Sequence, residues 1–170
     1  MSRSGRRSGE NSYEKAVEEL NSFAVVPQLV LFNPEGVFWE SNSGADVVPY
    51  PEVPGILSAL RFKGVRIGVV AHTQQPYLTS TALSRLTHES FSPMISYGQE
   101  AEIVNALQEA RRQTGINFAD ILYFDEKIAF TRAANNLGMT SHRLRGGLTL
   151  KHFEKGLQAF LDHHFDDRGF

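Results

Sequence analysis

Apolar segments that are typical of buried strands alternate along this chain with segments that have the pattern of helices. The clearest strand segments are continuous apolar runs, as expected where a sheet is covered on both faces. The strand segments span residues 28–33, 65–71, 94–95, 121–124 and 140–144. Because helices separate the strands, the connections are crossovers and the strands run parallel. The sequence therefore predicts an α/β fold, a three-layer Rossmann-like domain with a parallel sheet and helices on both faces.

Residues that start or stop helices bound the helical segments. Pro51 lies in the first turn of one of them, and Gly64 follows its end. Asn11 and Glu14 have the spacing of a capping box at the start of the first helix. The predicted helices span residues 11–21, 51–63, 75–86, 99–113 and 127–137, and a last helix follows Thr149.

Length and composition limit the classes of function that this chain can have. A chain of 170 residues, of which 41% are hydrophobic, is enough for one domain with a sizeable core. The 17 basic and 19 acidic residues argue against a broad basic surface for nucleic acid. The absence of cysteine excludes disulfides and thiolate chemistry, and no apolar run approaches the roughly 20 residues that cross a bilayer.

The domain organisation follows from shifts in composition. We expect a disordered basic tail at 1–10, an N-terminal helix and linker at 11–26, the α/β domain at 27–165 and a C-terminal tail at 166–170. The absence of cysteine favours the cytoplasm, while Arg3, Arg6 and Arg7 leave a mitochondrial targeting segment open.

Three polar loops follow the first, second and fourth predicted strands. They carry Asn33 with Glu35, the segment 71–73, and Asp125 with Glu126. Ligands of open parallel sheets bind at the carboxyl ends of the strands. Topology alone therefore predicts that these loops form one site.

Four stretches of this sequence resemble one known family. The strand that leads into Asn33-Pro34-Glu35-Gly36-Val37 has the spacing of the motif Asp-x-Asp-x-Thr/Val. The other stretches are Tyr50 to Pro54, Tyr123 to Glu126, and Arg145 to Leu148 leading to Gly156-Leu157. Over residues 27–162 the chain resembles the magnesium-dependent phosphatases of the haloacid-dehalogenase-like (HAD) superfamily. The resemblance implies the HAD fold without a large cap domain, with only a short flap over residues 37–49.

The resemblance also implies a covalent mechanism, and this chain departs from it at several positions. In the family an aspartate attacks phosphorus, and a second aspartate two residues later acts as acid and base. These positions hold Asn33 and Glu35 here. The hydroxyl that binds phosphate after the second strand falls on Ala71, and the family lysine falls near Ile103. The nucleophile, the phosphate donor and the lysine are therefore lost.

The resemblance places a magnesium ion at Asp125 and Glu126, with Asn33 and the Glu35 backbone as further ligands. Since the carboxylate at position 33 has become an amide, we expect magnesium to bind weakly or not at all. His72, Thr73 and Arg145 are the remaining candidates for binding phosphate.

Several of these features also have ordinary structural interpretations. Asp125 and Glu126 could stabilise a helix N-terminus, and Asn33-Pro34-Glu35 could be a turn. His72 could be a hydrogen-bonded loop residue, and Trp39 could pack the flap onto the core or shield a ligand. The pair 163–164 is typical of a frayed helix end rather than a metal site.

Three hypotheses of function remain open from the sequence. The first is a pseudophosphatase that acts by binding, as a scaffold, regulator or subunit with a protein partner. The second is an active magnesium-dependent phosphatase that hydrolyses phosphoesters with Glu35, Asp125 and Glu126 and a water nucleophile. The third is a purely structural subunit of a larger assembly. The sequence favours the first, predicts no membrane partner, and leaves the oligomeric state open.

Overall fold

A five-stranded parallel sheet forms the centre of the computed structural model, which describes residues 2–41 and 46–167. The strand order is β3-β2-β1-β4-β5, so β1 lies in the middle. Leu31 of β1 is paired with Gly68 of β2 on one side and with Tyr123 of β4 on the other. The strands are β1 (Leu29–Phe32), β2 (Arg66–His72), β3 (Met94–Tyr97), β4 (Ile121–Asp125) and β5 (Thr140–Arg143). The predicted parallel α/β sheet is confirmed.

Within the described ranges, six α-helices connect or flank the strands. They are α1 (Ser2–Ser22), α2 (Val53–Phe62), α3 (Pro76–Leu86), α4 (Ile103–Thr114), α5 (Ile128–Asn136) and α6 (Leu150–Asp167). Short 3₁₀ turns at Glu100–Glu102 and Phe118–Asp120 precede α4 and β4. The Thr149 hydroxyl accepts a hydrogen bond from the His152 amide at 3.2 Å, which caps α6 as the sequence predicts.

Two hydrophobic cores cover the two faces of the sheet. Val30 and Phe32 of β1 belong to the core shared with α1, α2 and α6, whereas Leu29 and Leu31 belong to the core shared with α4 and α5. Successive side chains of a strand point to opposite faces. This is why β1 consists of apolar residues without alternation, and it gives the three layers that the sequence predicts.

Helix α1 differs from the helix expected from the sequence. It begins at Ser2, within the segment expected to be a disordered tail. Asn11 and Glu14 consequently lie in the interior of α1, and the predicted capping box is wrong. No proline interrupts residues 2–22, so the helical backbone can continue through the predicted start. The division into tail, linker and domain stays a prediction.

The segment between β1 and α2 is compact and partly buried. Val37, Phe38 and Trp39 are buried in the core, although they were assigned to the flap from the sequence. The Gly36 amide donates to the Trp39 carbonyl at 2.8 Å, and the Tyr50 amide donates to the Phe38 carbonyl at 2.8 Å. The Ser-Asn-Ser-Gly part of the predicted flap lies largely outside the described residues. In the described part of this segment there is no helix and no large cap.

None of the helices in the described ranges combines the length and the apolar character needed to span a bilayer.

Candidate functional site

A cavity of about 610 Å³ opens at the carboxyl ends of β1, β2 and β4. The three polar loops after these strands contribute to its walls, as the topology predicts. Two buried aromatic rings and several aliphatic side chains complete it. The lining residues are Asn33, Glu35, Trp39, Ser41, Val47, His72, Thr73, Gln74, Gln75, Leu78, Thr79, Ala82, Asp125, Glu126, Lys127 and Phe130.

Asn33 and Asp125 meet at the bottom of the site. The Asn33 side-chain amide donates to both carboxylate oxygens of Asp125, with Nδ2 to Oδ1 at 3.4 Å and Nδ2 to Oδ2 at 3.3 Å. Asn33 is 4% exposed and Asp125 is 1% exposed. A neutral donor therefore faces the buried carboxylate of Asp125 at the position where the family has an attacking aspartate.

Asp125 has two further donors close by. The Tyr123 hydroxyl donates to Oδ2, and the Lys127 backbone amide donates to Oδ1 at 3.1 Å. Burial raises the pKa of Asp125 above its usual value, while these donors and the Asn33 amide act in the opposite direction. The Asp125 carboxylate thus accepts hydrogen bonds from Asn33, Tyr123 and the Lys127 backbone.

Glu35 is fixed by an aromatic neighbour. The Trp39 indole Nε1 donates to Glu35 Oε1 at 3.2 Å, and the Trp39 ring is 1% exposed. Trp39 therefore packs into the core, as one of the two interpretations of the sequence holds, and it also orients a carboxylate at the cavity.

Glu126 lies against the turn that follows β1. The Ser41 hydroxyl donates to Glu126 Oε1 at 3.1 Å. Gly36 has a φ of +79°, and a Cβ built there would lie 2.6 Å from the carboxyl carbon of Glu126. Gly36 is therefore required both by its backbone conformation and by the close approach of Glu126.

The loop after β2 offers few free donors to a ligand. Ala71 is a buried residue of β2 without a hydroxyl. The His72 ring stacks on Tyr97, and its Nε2 donates to the Gly98 carbonyl at 3.2 Å. The Thr73 hydroxyl oxygen accepts from the Gln75 amide at 3.0 Å and lies 3.1 Å from the Thr79 hydroxyl. His72 and Thr73 thus line the cavity, but both have internal partners.

The position of the lost family lysine and the candidate Arg145 both lie outside the described cavity lining. Ile103 is buried at the start of α4 in the second core, and Arg145 is exposed; neither belongs to the cavity lining that the described residues form. Leu144 and Leu148 are buried on either side of the turn at Gly146 and Gly147, and Arg145 remains at the surface. The interpretation of Arg145 as a phosphate ligand stays a prediction.

Among the described residues that line the cavity, Lys127 carries a positive charge. Its ammonium group forms an ion pair with Glu100 and lies 5.3 Å from the centre of the Phe130 ring. Its position directly after Asp125 and Glu126 is the sequence signal that places Lys127 at this edge of the sheet.

Two contacts of the site were missed from the sequence. Tyr123 and Asp125 are two residues apart in one strand, and this period places both side chains on one face. Glu35 and Trp39 flank a tight turn whose bridge pairs them. Both pairs could have been inferred from the spacing.

The side chains at the site, in the orientation seen here, do not present the oxygen ligands that a magnesium ion needs. Magnesium takes octahedral oxygen ligands, usually including one or two carboxylates. The Asn33 N–H groups point at Asp125, where a metal would need an oxygen from each residue. Within residues 2–41 and 46–167, no three acidic or histidine side chains come together to hold an ion.

Comparison with known proteins gives the family. The Acid Phosphatase family model matches residues 32–163. The human protein Magnesium-dependent phosphatase 1 is 27% identical over 122 residues, covering 69% of this chain and 66% of the relative. The chain thus spans slightly less than two thirds of that relative.

Solved structures give the fold. The cobalt-bound deoxy-D-mannose-octulosonate 8-phosphate phosphatase of Haemophilus influenzae has a TM-score of 0.56 at 11% identity, covering 85% of this chain and 92% of that chain. A Legionella pneumophila protein classed as a HAD superfamily (subfamily III A) hydrolase has a TM-score of 0.56 at 10% identity, covering 94% and 93%.

Two of these relatives carry a divalent metal in their names, magnesium for the human protein and cobalt for the Haemophilus structure. The family match covers well over half of this chain, and the sheet order and helical layers agree with the HAD fold. This chain belongs to the acid phosphatase family, and its fold is that of the HAD structures.

Proposed function

We propose that this chain is a pseudophosphatase that forms no phosphoenzyme and acts by binding a partner. The observation that carries the proposal is the side chain of Asn33. Its amide occupies the position of the attacking carboxylate and donates to Asp125 at 3.3 Å and 3.4 Å. A carboxamide is neutral and a very poor nucleophile, so the covalent step has no attacking group.

The surroundings support the same proposal. Transferring a phosphoryl group requires donors that neutralise its developing charge. Ala71 contributes no hydroxyl, His72 already donates to Gly98, and Lys127 is paired with Glu100. A bound phosphate would therefore lie near the carboxylates of Glu35 and Asp125, with few positive charges or hydrogen-bond donors to offset the repulsion.

Hydrolysis is the second candidate, and the comparisons favour it, because the named relatives are phosphatases. The residue that would support it is Glu35. Its carboxylate lines the cavity, and Trp39 orients it, so it could take a proton from an attacking water molecule. This route needs no nucleophile at position 33.

Phosphoenzyme trapping distinguishes a covalent mechanism from the proposal. The full chain is incubated with acetyl phosphate and magnesium, quenched in acid and measured by intact-protein mass spectrometry. The comparison variant is Asn33→Asp with Glu35→Asp, and Asn105→Asp on exposed α4 is the matched control.

We expect the natural chain and the control to gain no acid-stable phosphoryl group. The double variant restores both family carboxylates and should gain a small fraction. A phosphoryl group on the natural chain that hydroxylamine removes would overturn the proposal. Release of phosphate without such an adduct would favour the water mechanism at Glu35.

A further inference from the structure

Two histidine side chains meet between β5 and α6. His142 Nε2 lies 2.9 Å from His152 Nδ1, and the centres of the two rings are 5.2 Å apart. Neither residue belongs to the cavity lining described above. A neutral imidazole has one N–H donor and one acceptor nitrogen, so the two facing nitrogens share one proton in a hydrogen bond.

Neighbouring groups orient both rings. The His142 ring makes a T-shaped contact with Phe124 of β4, with ring centres 5.9 Å apart. The His152 ring hydrogen-bonds to the backbone of Arg145, and the His152 amide donates to the Thr149 hydroxyl at 3.2 Å. A hydrogen bond from the ring to a backbone carbonyl or carboxylate is typical of histidines that bind metal ions. The pair thus has the support that a metal site needs from a strand and from a helix.

Both rings are neutral ligands at pH 7. Burial lowers the pKa of His142 and of His152 below the ordinary histidine value, and the Lys155 ammonium group acts in the same direction. A metal ion binds the unprotonated nitrogen of a neutral imidazole, so neither ring has to lose a charge first. Both residues are partly exposed, so water can supply the remaining ligands of an ion.

The spacing of the two rings fits a tetrahedral ion. Zinc binds an imidazole nitrogen at about 2.05 Å, so two rings on one tetrahedral ion would have centres about 5.2 Å apart and nitrogens about 3.3 Å apart. The observed ring centres have this spacing, and the facing nitrogens, at 2.9 Å, are slightly closer together. Rotating the rings until both nitrogens point to one side of the line between their centres would direct both lone pairs at one ion.

We propose that His142 and His152 bind zinc or a similar divalent transition-metal ion, which holds α6 to β5. Imidazole nitrogen suits such ions, whereas magnesium prefers oxygen ligands. Structural zinc sites usually have four protein ligands, and in the described ranges no group of three acidic or histidine side chains could hold an ion. With two protein ligands, the dissociation constant for zinc should be about 1–100 µM. This site goes beyond the pseudophosphatase proposal and does not depend on it.

The lysines of α6 give the proposed site a specific electrostatic property. The charges of Lys155 and Lys151 lower the pKa of His152, after the larger effect of burial. The same charges would repel a metal ion bound between the rings. Removing one of them with Lys155→Gln should therefore tighten zinc binding about twofold to fivefold, after allowance for screening by salt. This variant keeps both histidine ligands.

Isothermal titration calorimetry of the full chain with zinc chloride tests the inference, in a buffer that does not bind zinc. We expect one zinc ion per natural chain, and binding at least tenfold weaker in His142→Gln and in His152→Gln. The matched control His88→Gln removes an exposed histidine after α3 and should leave the affinity unchanged. Glu126→Gln, which removes a carboxylate from the cavity lining, should also leave this affinity unchanged.

Urea denaturation with zinc and with EDTA gives a second readout. An ion that binds only the folded chain raises its stability, so zinc should raise the urea midpoint of the natural chain and of Lys155→Gln. It should leave the midpoints of the two histidine variants unchanged, each compared with its own value in EDTA. Equal zinc binding by the natural chain and both histidine variants would overturn the inference, as would no binding at millimolar zinc or weaker binding in Lys155→Gln.

Discussion

Replacing Asn33 by aspartate tests the contact on which this account depends. The substitution puts a carboxylate oxygen where Nδ2 now lies, 3.3 Å from Asp125 Oδ2. Two unit charges at that distance repel by about 5 kcal/mol at an effective dielectric constant of about 20. Proton uptake relieves part of this, so we expect Asn33→Asp to lower the unfolding free energy by about 2–4 kcal/mol at neutral pH without metal.

If charge repulsion destabilises Asn33→Asp, the loss of unfolding free energy should depend on pH and on metal. The paired carboxyl groups have a raised pKa in the folded state, so the folded variant binds more protons than the unfolded chain. Its destabilisation is therefore full at pH 7 and disappears as the pH falls towards the ordinary aspartate pKa of about 4. Magnesium should recover part of the stability of the variant and should leave the natural chain unchanged.

The assay is urea denaturation at pH 7 and pH 5, in EDTA and in magnesium. The control Asn105→Asp makes the same chemical change on the exposed face of α4 and should alter stability by less than about 0.5 kcal/mol. If Asn33→Asp were as stable as the natural chain at pH 7 in EDTA, Asn33 would not face Asp125 as described.

Three further outcomes are expected from denaturation measurements. Tyr123→Phe removes the hydroxyl donor to buried Asp125 and should cost about 2 kcal/mol; no loss would refute that hydrogen bond. Gly36→Ala adds a Cβ at positive φ, 2.6 Å from the Glu126 carboxyl carbon, and should cost about 1–3 kcal/mol, whereas a neutral effect would contradict the turn geometry. Burial, with His152 and Lys155 nearby, lowers the pKa of His142 to about 4, so protonation favours the unfolded chain. Stability should therefore fall by about 1–2 kcal/mol, after allowance for partial exposure, as the pH drops from about 6.5 towards 4, and His142→Gln should remove that part of the slope.

The sheet could be predicted because its signal is local. Buried parallel strands need apolar side chains on both faces, and residues 29–32 and 121–124 meet that need in sequence. Convergence of Asn33, Glu35, Asp125 and Glu126 then follows from strand direction alone. Helix α1 was predicted too short, because the polar, glycine-containing segment 2–10 gives little apolar periodicity.

The details of the site depend on where side chains lie in three dimensions, and the spacing of residues along the sequence predicts this only in part. The position of the lost family lysine was aligned with Ile103, and the fold buries that residue in the second core at the start of α4. Arg145 was expected near the carboxyl edge of the sheet because it precedes Gly146 and Gly147, and in the structure it is exposed at that turn. His163 was assigned to a frayed end, yet its Nδ1 lies 2.7 Å from the Thr140 hydroxyl of β5. That contact exists only once α6 has packed on the sheet.

The central claim is that the amide at position 33 has ended phosphotransfer in a member of a phosphatase family. The most direct measurement is steady-state hydrolysis of p-nitrophenyl phosphate by the full natural chain, in magnesium and in EDTA, beside a preparation of Glu35→Gln. The account predicts equal rates in all three, at the level of the buffer blank. Hydrolysis that requires magnesium, stops in EDTA and is lost in Glu35→Gln would contradict it and would assign the chain to the active phosphatases.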